Sequence, residues 1–200
     1  MILKVCGITN QEDADAAVEG GANAIGFNFY PRSSRYVEPE RAASIATAAG
    51  VRRVGVFVNE PRERVEKLAR QAALDVAQLH GVESDKDYPS GMAVWKSVNV
   101  TPDLDLSAFH GGAAEALLFD GPAGHLYGGA GKSFDWSKAR GLAVRVILAG
   151  GLDATNVARA VELAHPWGVD ACSRIESAPG KKDLRKMKEF LQAARAALLA

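Results

Sequence analysis

The 200-residue sequence lacks the features that several classes of protein need. Its 24 basic and 24 acidic side chains give a formal net charge of zero, so charge offers no argument for nucleic-acid or membrane-surface binding. No apolar run approaches the roughly 18 residues of a transmembrane helix, and no signal peptide is recognisable. We therefore expect no nucleic-acid partner, no membrane partner and a cytoplasmic location.

Cysteine and histidine are also scarce. The two cysteines, Cys6 and Cys172, are too far apart in sequence for a zinc pattern or a disulfide framework, which favours a reducing compartment. The four histidines show no helical spacing that would bring two of them to one ion. We expect no metal site.

What the chain does have is an alternation of strand and helix signals on a 48% hydrophobic background, enough for one domain with a sizeable core. Short apolar stretches predict eight strands, at 2–6, 24–29, 53–58, 76–80, 93–98, 116–120, 144–149 and 168–172. Helical patterns and their end signals predict helices at 11–19, 39–49, 61–73, 154–164 and 182–199, with about two turns at 133–140.

Eight strands in strict alternation with helices fit either a closed (β/α)₈ barrel or an open doubly wound sheet. A barrel usually needs about 250 residues, so this chain is near the lower limit. Proline, glycine and aspartate at 84–91 and 101–112 predict short or missing helices, which suits a minimal barrel. We therefore favour a single-domain (β/α)₈ TIM barrel over residues 1–200.

The segment Lys4-Val5-Cys6-Gly7-Ile8-Thr9-Asn10 places a thiol where the first strand gives way to a loop, and barrels place their chemistry there. A free cysteine is also often an inert core residue. Asp120 ends the sixth strand, where a carboxylate could simply cap a turn. In a barrel both groups lie on one rim, where a thiolate and a carboxylic acid would be one base and one acid.

Other loops of that rim suit an anionic ligand. Gly150 and Gly151 follow strand seven and Ser173 follows strand eight, the usual place for phosphate in a barrel, although both glycines could be plain turn residues. Arg35, on the long loop after strand two, is either solvated or a partner for an anion. The glycine-rich segment 128–133 fails the phosphate-loop spacing, so we interpret it as a flexible loop leading to a short helix capped near Ser133.

The opening segment resembles the signature of the phosphoribosylanthranilate isomerase family of tryptophan biosynthesis. Further resemblance runs in order along nearly the whole chain, at 26–31, 34–36, 54–59, 77–81, 117–120, 128–136, 149–152 and 179–183. The resemblance implies a small barrel without a cofactor that performs an Amadori rearrangement on a phosphorylated small molecule. It implies Cys6 as general base, with a depressed thiol pKa, and Asp120 as general acid, with a pKa raised by burial.

The remaining roles that the resemblance implies are binding roles. Arg35 would hold the anthranilate carboxylate and Asp170 the ribose, while Gln78 and His80 line the substrate site. Backbone amides at helix N-termini, from Gly150, Gly151 and Ser173, would hold the phosphate.

This chain departs from the family after strand eight, where Arg174 stands in the place of a usual glycine. We expect its side chain to contact the phosphate, with a solvent-facing side chain as the alternative. Residues 121–124 suggest a mobile lid. Because strand eight lies beside strand one in a barrel, Cys6 and Cys172 are expected to be neighbours, able to form a reversible disulfide.

Two other readings of the rim stay open at this point. One is a different phosphosugar barrel, such as an epimerase or a histidine-pathway isomerase, although we find neither metal-binding histidines nor an internal repeat. The other is a barrel that binds an anion without catalysis. The sequence leaves the oligomeric state open between monomer and homodimer.

Overall fold

Eight parallel strands form a closed barrel in sequence order, as predicted. The computed structural model describes residues 1–106, 109–121 and 133–200. The strands are β1 Ile2–Cys6, β2 Ala24–Asn28, β3 Arg52–Phe57, β4 Val76–Leu79, β5 Ala93–Asn99, β6 Ala116–Asp120, β7 Val146–Leu148 and β8 Gly168–Ala171. Each agrees with its prediction to within two residues at either end, because short apolar runs between turn residues locate buried strands well.

The α-helices lie in the first and last parts of the chain, and the only helical structure in the described residues between 72 and 156 is short 3₁₀ turns. The α-helices of the described residues are α1 Gln11–Glu19, α2 Pro39–Ser44, α3 Arg62–Gln71, α4 Val157–Ala164 and α5 Leu184–Leu199. Single 3₁₀ turns lie at Asp85–Asp87, Trp136–Ala139 and Ser173–Ile175. A small hairpin, β9 Glu176–Ala178 and β10 Lys181–Lys182, precedes α5. The expectation of degenerate helices at 84–91 is confirmed.

Local signals set the ends of the first and last helices correctly. The side chain of Asn10 accepts a hydrogen bond from the N–H of Asp13 at 2.8 Å and so caps α1. Asp183 caps α5 in the same way, accepting from the N–H of Lys186 at 3.0 Å.

Three helix boundaries differ from the predictions by three residues or more. Helix α2 ends at Ser44 rather than at 49 because the buried Arg53 donates to the carbonyls of Ala42 and Ile45. Helix α4 begins at Val157 rather than at 154. The preceding residues form a turn, in which the side chain of Asp153 accepts a hydrogen bond from the N–H of Thr155. The short turn after β6 begins at Trp136 rather than at 133, and its cap is Asp135, two residues from Ser133.

The core has two layers, and the inner layer positions the site. Apolar side chains from the strands fill the lower barrel: Ile2, Ala24, Val54, Val76, Trp95, Ala116, Leu118, Ile147 and Ala149. Successive side chains of a strand point to opposite faces, so Lys4 and Cys6 share the inward face of β1 with Ile2. The upper barrel is therefore polar, and a cavity opens there. No helix in the described part of the chain has the length and apolarity to cross a membrane.

Candidate active site

One cavity at the C-terminal ends of the strands contains every site residue that the sequence predicted. Its lining includes Cys6, Arg35, Gln78, His80, Asp120, Gly150, Gly151, Asp170, Ser173 and Arg174. These residues come from β1, β4, β6, β8 and the loops after β2, β7 and β8. The barrel thus brings together both ends of the chain and its middle.

Two glycines make room for the Cys6 thiol. Gly26 of β2 lies beside Cys6 in the sheet, and a Cβ there would stand 2.8 Å from the Cys6 sulfur and 3.2 Å from Cε of Lys4. Gly7 has a φ of +76°, and a Cβ there would stand 2.9 Å from Cδ of Arg35. A side chain at either position would therefore displace the residues around the thiol.

Beneath the thiol, Lys4 and Asp170 form a buried ion pair, with Nζ and Oδ2 2.8 Å apart. Burial raises the pKa of Asp170 to about 7, although the charge of Lys4 opposes the rise. The other carboxylate oxygen, Oδ1, is buried with no hydrogen-bond partner in the described residues. Asp170 therefore presents an unused acceptor at the cavity.

The surroundings of Cys6 favour its thiolate. A hydrogen bond with the side chain of Cys172 is the largest influence on the pKa of Cys6, and the charges of Lys4 and Lys182 act in the same direction. Together they hold that pKa well below the ordinary value of 9.0, even though burial opposes them. Both cysteines are free thiols.

Arg35 is held in place by Glu176. The guanidinium donates from Nε to Oε1 at 2.9 Å and from Nη2 to Oε2 at 2.8 Å, a bidentate geometry that fixes its plane. Glu176 also accepts from the fully buried Lys182, with Nζ and Oε1 3.0 Å apart. The loop arginine is therefore an oriented part of the cavity wall rather than a solvated side chain.

Gln78 and His80 form a neutral polar wall. Burial, followed by the charges of Lys4 and Lys96, lowers the pKa of His80 to about 3, so its imidazole is uncharged at neutral pH. Gln78 and His80 hydrogen-bond each other through their Nε2 atoms. Oε1 of Gln78 is buried without a partner in the described part of the chain. Like Asp170, Gln78 presents an unused acceptor.

The loops after β7 and β8 differ in one respect from the expectation. Gly150 and Gly151, at φ of +80° and +68°, lie several residues before α4 and not at its N-terminus. Ser173 begins only a single 3₁₀ turn. The side chain of Arg174 lines the cavity but is 52% exposed, and its Nη1 lies 3.3 Å from Oδ2 of Asp153.

Some predictions fall outside the described residues. These are most of the glycine-rich segment 128–133 and residues 122–124 of the suggested lid. Asp120 itself is described: it ends β6, buried and facing the cavity. Within the described ranges no cluster of three histidine, cysteine, aspartate or glutamate side chains could hold a metal ion.

The sequence did not single out three buried charged residues that organise the site: Lys4, Glu176 and Lys182. Lysine and glutamate side chains are almost never fully buried, so their residue types alone would place all three on the surface. One signal was available, since Lys4 is two residues before Cys6 in a strand and must share its face. The sequence did not predict the hairpin that contains Glu176 and Lys182.

A closed (β/α)₈ barrel with a thiol and a carboxylate at one polar cavity defines a class of enzyme that moves protons on a bound small molecule. A model of the N-(5'-phosphoribosyl)anthranilate (PRA) isomerase family matches residues 3–193, and the chain belongs to that family.

Individual relatives agree with this assignment. The chain is 67% identical over 198 residues to an N-(5'-phosphoribosyl)anthranilate isomerase of Solibacter usitatus, a match covering 99% of each protein. The crystal structure of the phosphoribosylanthranilate isomerase of Thermotoga maritima is similar with a TM-score of 0.86 and 38% identity, over 98% of this chain and 100% of the other. A second crystal structure of a phosphoribosylanthranilate isomerase, with a TM-score of 0.81 and 36% identity over 98% of this chain and 100% of the other, is a complex with reduced 1-(o-carboxyphenylamino)-1-deoxyribulose 5-phosphate.

Proposed function

We propose that this chain converts N-(5-phosphoribosyl)anthranilate into 1-(2-carboxyphenylamino)-1-deoxyribulose 5-phosphate, an Amadori rearrangement of tryptophan biosynthesis. The observation that carries the proposal is that Cys6 and Asp120 line one cavity in a member of this family. The barrel works as one domain, because its two reacting groups lie on β1 and β6. It works in the cytoplasm, where reducing conditions keep Cys6 a free thiol.

The reaction begins with one proton given to the substrate and one proton taken from it. Asp120 donates a proton to the furanose ring oxygen, the bond from that oxygen to C1 breaks, and the anthranilate nitrogen forms a Schiff base with C1. The Cys6 thiolate then removes the proton from C2, which gives an enolamine. Proton gain at C1 and proton loss from the C2 hydroxyl complete the ketone. No electron acceptor or donor is consumed, so acid–base catalysis is sufficient.

The electrostatics of the cavity suit the base. A thiolate is needed at neutral pH, and Cys172, Lys4 and Lys182 favour that state. Burial of Cys6 keeps water away from the thiolate, which strengthens its attraction for a substrate proton. That Asp120 holds its proton near neutral pH stays a prediction.

The two ends of the substrate carry negative charge, and the cavity offers matching groups at two places. Arg35, oriented by Glu176, binds the anthranilate carboxylate. Backbone N–H groups of Gly150, Gly151 and Ser173, with the side chain of Arg174, bind the phosphate. The pair of Arg174 with Asp153 is half-exposed and therefore weak, so exchanging it for a phosphate costs little.

The sugar lies between these ends, and its hydroxyl groups need acceptors. Oδ1 of Asp170 and Oε1 of Gln78 are buried acceptors without partners in the described residues. A buried acceptor that lacks a donor costs free energy, which a ribose hydroxyl would recover on binding. We assign both to the sugar, next to His80, whose neutral imidazole adds no competing charge.

The test is an assay of the purified protein with chemically generated phosphoribosylanthranilate, whose fluorescence disappears on conversion. We expect rapid loss of fluorescence in EDTA and without nucleotide, because the described residues offer no metal cluster. Product must be identified by mass and by its ketone, since a barrel that only binds the substrate could quench fluorescence without forming product. Absence of product with excess enzyme in a single turnover would refute the proposal.

A further inference from the structure

Two cysteines from opposite ends of the chain occupy adjacent positions at the rim of the barrel. In the pairing of β1 with β8, Lys4 lies opposite Asp170 and Val5 opposite Ala171. The next residues along these strands are Cys6 and Cys172, and both line the cavity. Each side chain affects the pKa of the other, as expected of two thiols at neighbouring positions. The closure of the barrel therefore brings a second thiol to the proposed base.

We propose that Cys172 is a positioning residue, whose S–H donates a hydrogen bond to the Cys6 thiolate and holds that sulfur toward the C2 proton of the substrate. The proposal rests on the proposed function, in which Cys6 is the base. It concerns a side chain that the proposed reaction does not otherwise use.

The location of Cys172 is fixed by its neighbours. The ammonium of Lys182 lies 3.3 Å from the carbonyl oxygen of Cys172 and 4.0 Å from its sulfur. The same ammonium is anchored on Glu176. On the other side, a Cβ on Gly7 would stand 3.1 Å from the Cys172 sulfur, so only glycine leaves this space open. The thiol is thus confined beside Cys6.

The direction of the hydrogen bond follows from the proposed role of Cys6 as the base, which needs its thiolate. Lys4 of β1 acts on Cys6 with positive charge, while Lys182 of β10 and Arg35 of the loop after β2 act on both sulfurs. Asp170 of β8 carries the opposing negative charge, and Asp120 of β6 faces the same cavity.

One thiolate, but not two, is stable in this setting. The hydrogen bond to Cys6, together with burial, raises the pKa of Cys172 well above the ordinary value of 9.0. Cys172 therefore keeps its proton and donates it, while Cys6 accepts. A neutral donor is useful here because it can stabilise the thiolate without adding a charge that would compete for the carboxylate or phosphate of the substrate.

The test compares Cys172→Ala, which removes the donor, with Cys172→Ser, which keeps a donor of similar size. The readout is the pH dependence of Cys6 alkylation by iodoacetamide, measured on the Cys6 peptide by mass spectrometry so that Cys172 does not interfere. In the alanine variant we expect the midpoint to rise by about half to one pH unit. At a pH below the midpoint, such a rise lowers the rate of alkylation about three- to tenfold. In the serine variant we expect the midpoint of the wild type to return.

A second readout links the bond to turnover. The acid limb of kcat/KM should move with the alkylation midpoint in Cys172→Ala and return in Cys172→Ser. An alanine variant that titrates like the wild type, or a serine variant that shifts as far as alanine, would overturn the positioning role.

Failure of the proposed function would look different, because alkylation needs no substrate. If the alanine variant shows a shifted midpoint but the wild-type protein forms no product, the proposed function is refuted. Any role of the hydrogen bond in turnover is refuted with it. An active wild-type protein with an unshifted alanine variant would refute the positioning role alone.

Discussion

The ammonium of Lys4 lies 2.8 Å from Oδ2 of Asp170, and this buried ion pair joins the first strand of the barrel to the last. The same ammonium lowers the pKa of Cys6, the next inward-facing residue of β1. One side chain therefore takes part in barrel closure and in the chemistry of the site. A lysine buried this deeply is retained only when it is paired, and here it has two anionic neighbours.

Removing the charge of Arg174 should weaken substrate binding more than it slows the reaction. We expect Arg174→Ala to raise KM severalfold with a smaller change in kcat, because a phosphate remote from the reacting carbons contributes mostly uniform binding. Since the side chain is half-exposed, the effect should shrink at high salt. Steady-state kinetics at two ionic strengths measure this.

The matched control is Arg185→Ala, which removes an exposed arginine on α5, away from the cavity. It should leave KM as in the wild type. An Arg174→Ala variant whose KM also matches the wild type at low salt would rule out a contact between Arg174 and the phosphate.

Mild oxidant should inactivate the enzyme through the two neighbouring thiols. Hydrogen peroxide converts the Cys6 thiolate to a sulfenic acid, and attack by Cys172 then forms a disulfide and releases water. Thiol reductant should restore activity. In Cys172→Ser the disulfide cannot form, so the sulfenic acid of Cys6 is left to oxidise further, and we expect thiol reductant to restore less of that variant's activity.

Intact mass separates the outcomes, because the disulfide lowers the mass by two hydrogens while a sulfenic acid adds one oxygen. If the wild type lost activity without forming a disulfide, or if reductant restored both proteins equally, the pairing of the two thiols would be contradicted.

The neutral His80 should make the fold sensitive to mild acid. Its pKa is about 3 in the folded chain against an ordinary 6.5, so the folded chain binds fewer protons than the unfolded chain between these values. This contribution to stability is complete above pH 6.5 and is lost as the pH falls. At about pH 5 the loss is on the order of 2 kcal/mol.

Thermal unfolding of the wild type and His80→Gln at about pH 7.5 and pH 5 measures the effect. Asp170, with its raised pKa of about 7, contributes with the opposite sign, since its stabilisation is lost as the pH rises. That contribution is common to both proteins and cancels in the difference. We expect the wild type to lose more stability than the variant on acidification, and equal losses would contradict a buried neutral His80.

The strands and the positions of Cys6 and Asp120 at the cavity could be predicted because both rest on local patterns. Apolar runs locate the strands, and Cys6 and Asp120 follow from their positions at strand ends once the barrel is accepted. The end of α2 could not be predicted. Arg53 donates to its last carbonyls, and Gln11 bonds both the N–H and the carbonyl of Ala46, contacts that only the folded chain creates.

The buried cations were missed for a similar reason. Glu176 forms ion pairs with both Lys182 and Arg35. The burial of Lys182 and the orientation of Arg35 therefore depend on the same carboxylate. The orientation of Arg35 is thus a property of a hairpin far along the chain.

The proposed roles of Cys6 and Asp120 are tested most directly by the turnover of Cys6→Ser and Asp120→Asn on phosphoribosylanthranilate, with product identified and thermal stability recorded. Each variant keeps the size of the side chain and removes the proton transfer, which is worth about 10²–10⁴-fold in rate. We predict losses of that size with melting temperatures close to the wild type. Near-normal product formation by either folded variant would remove that residue from the mechanism.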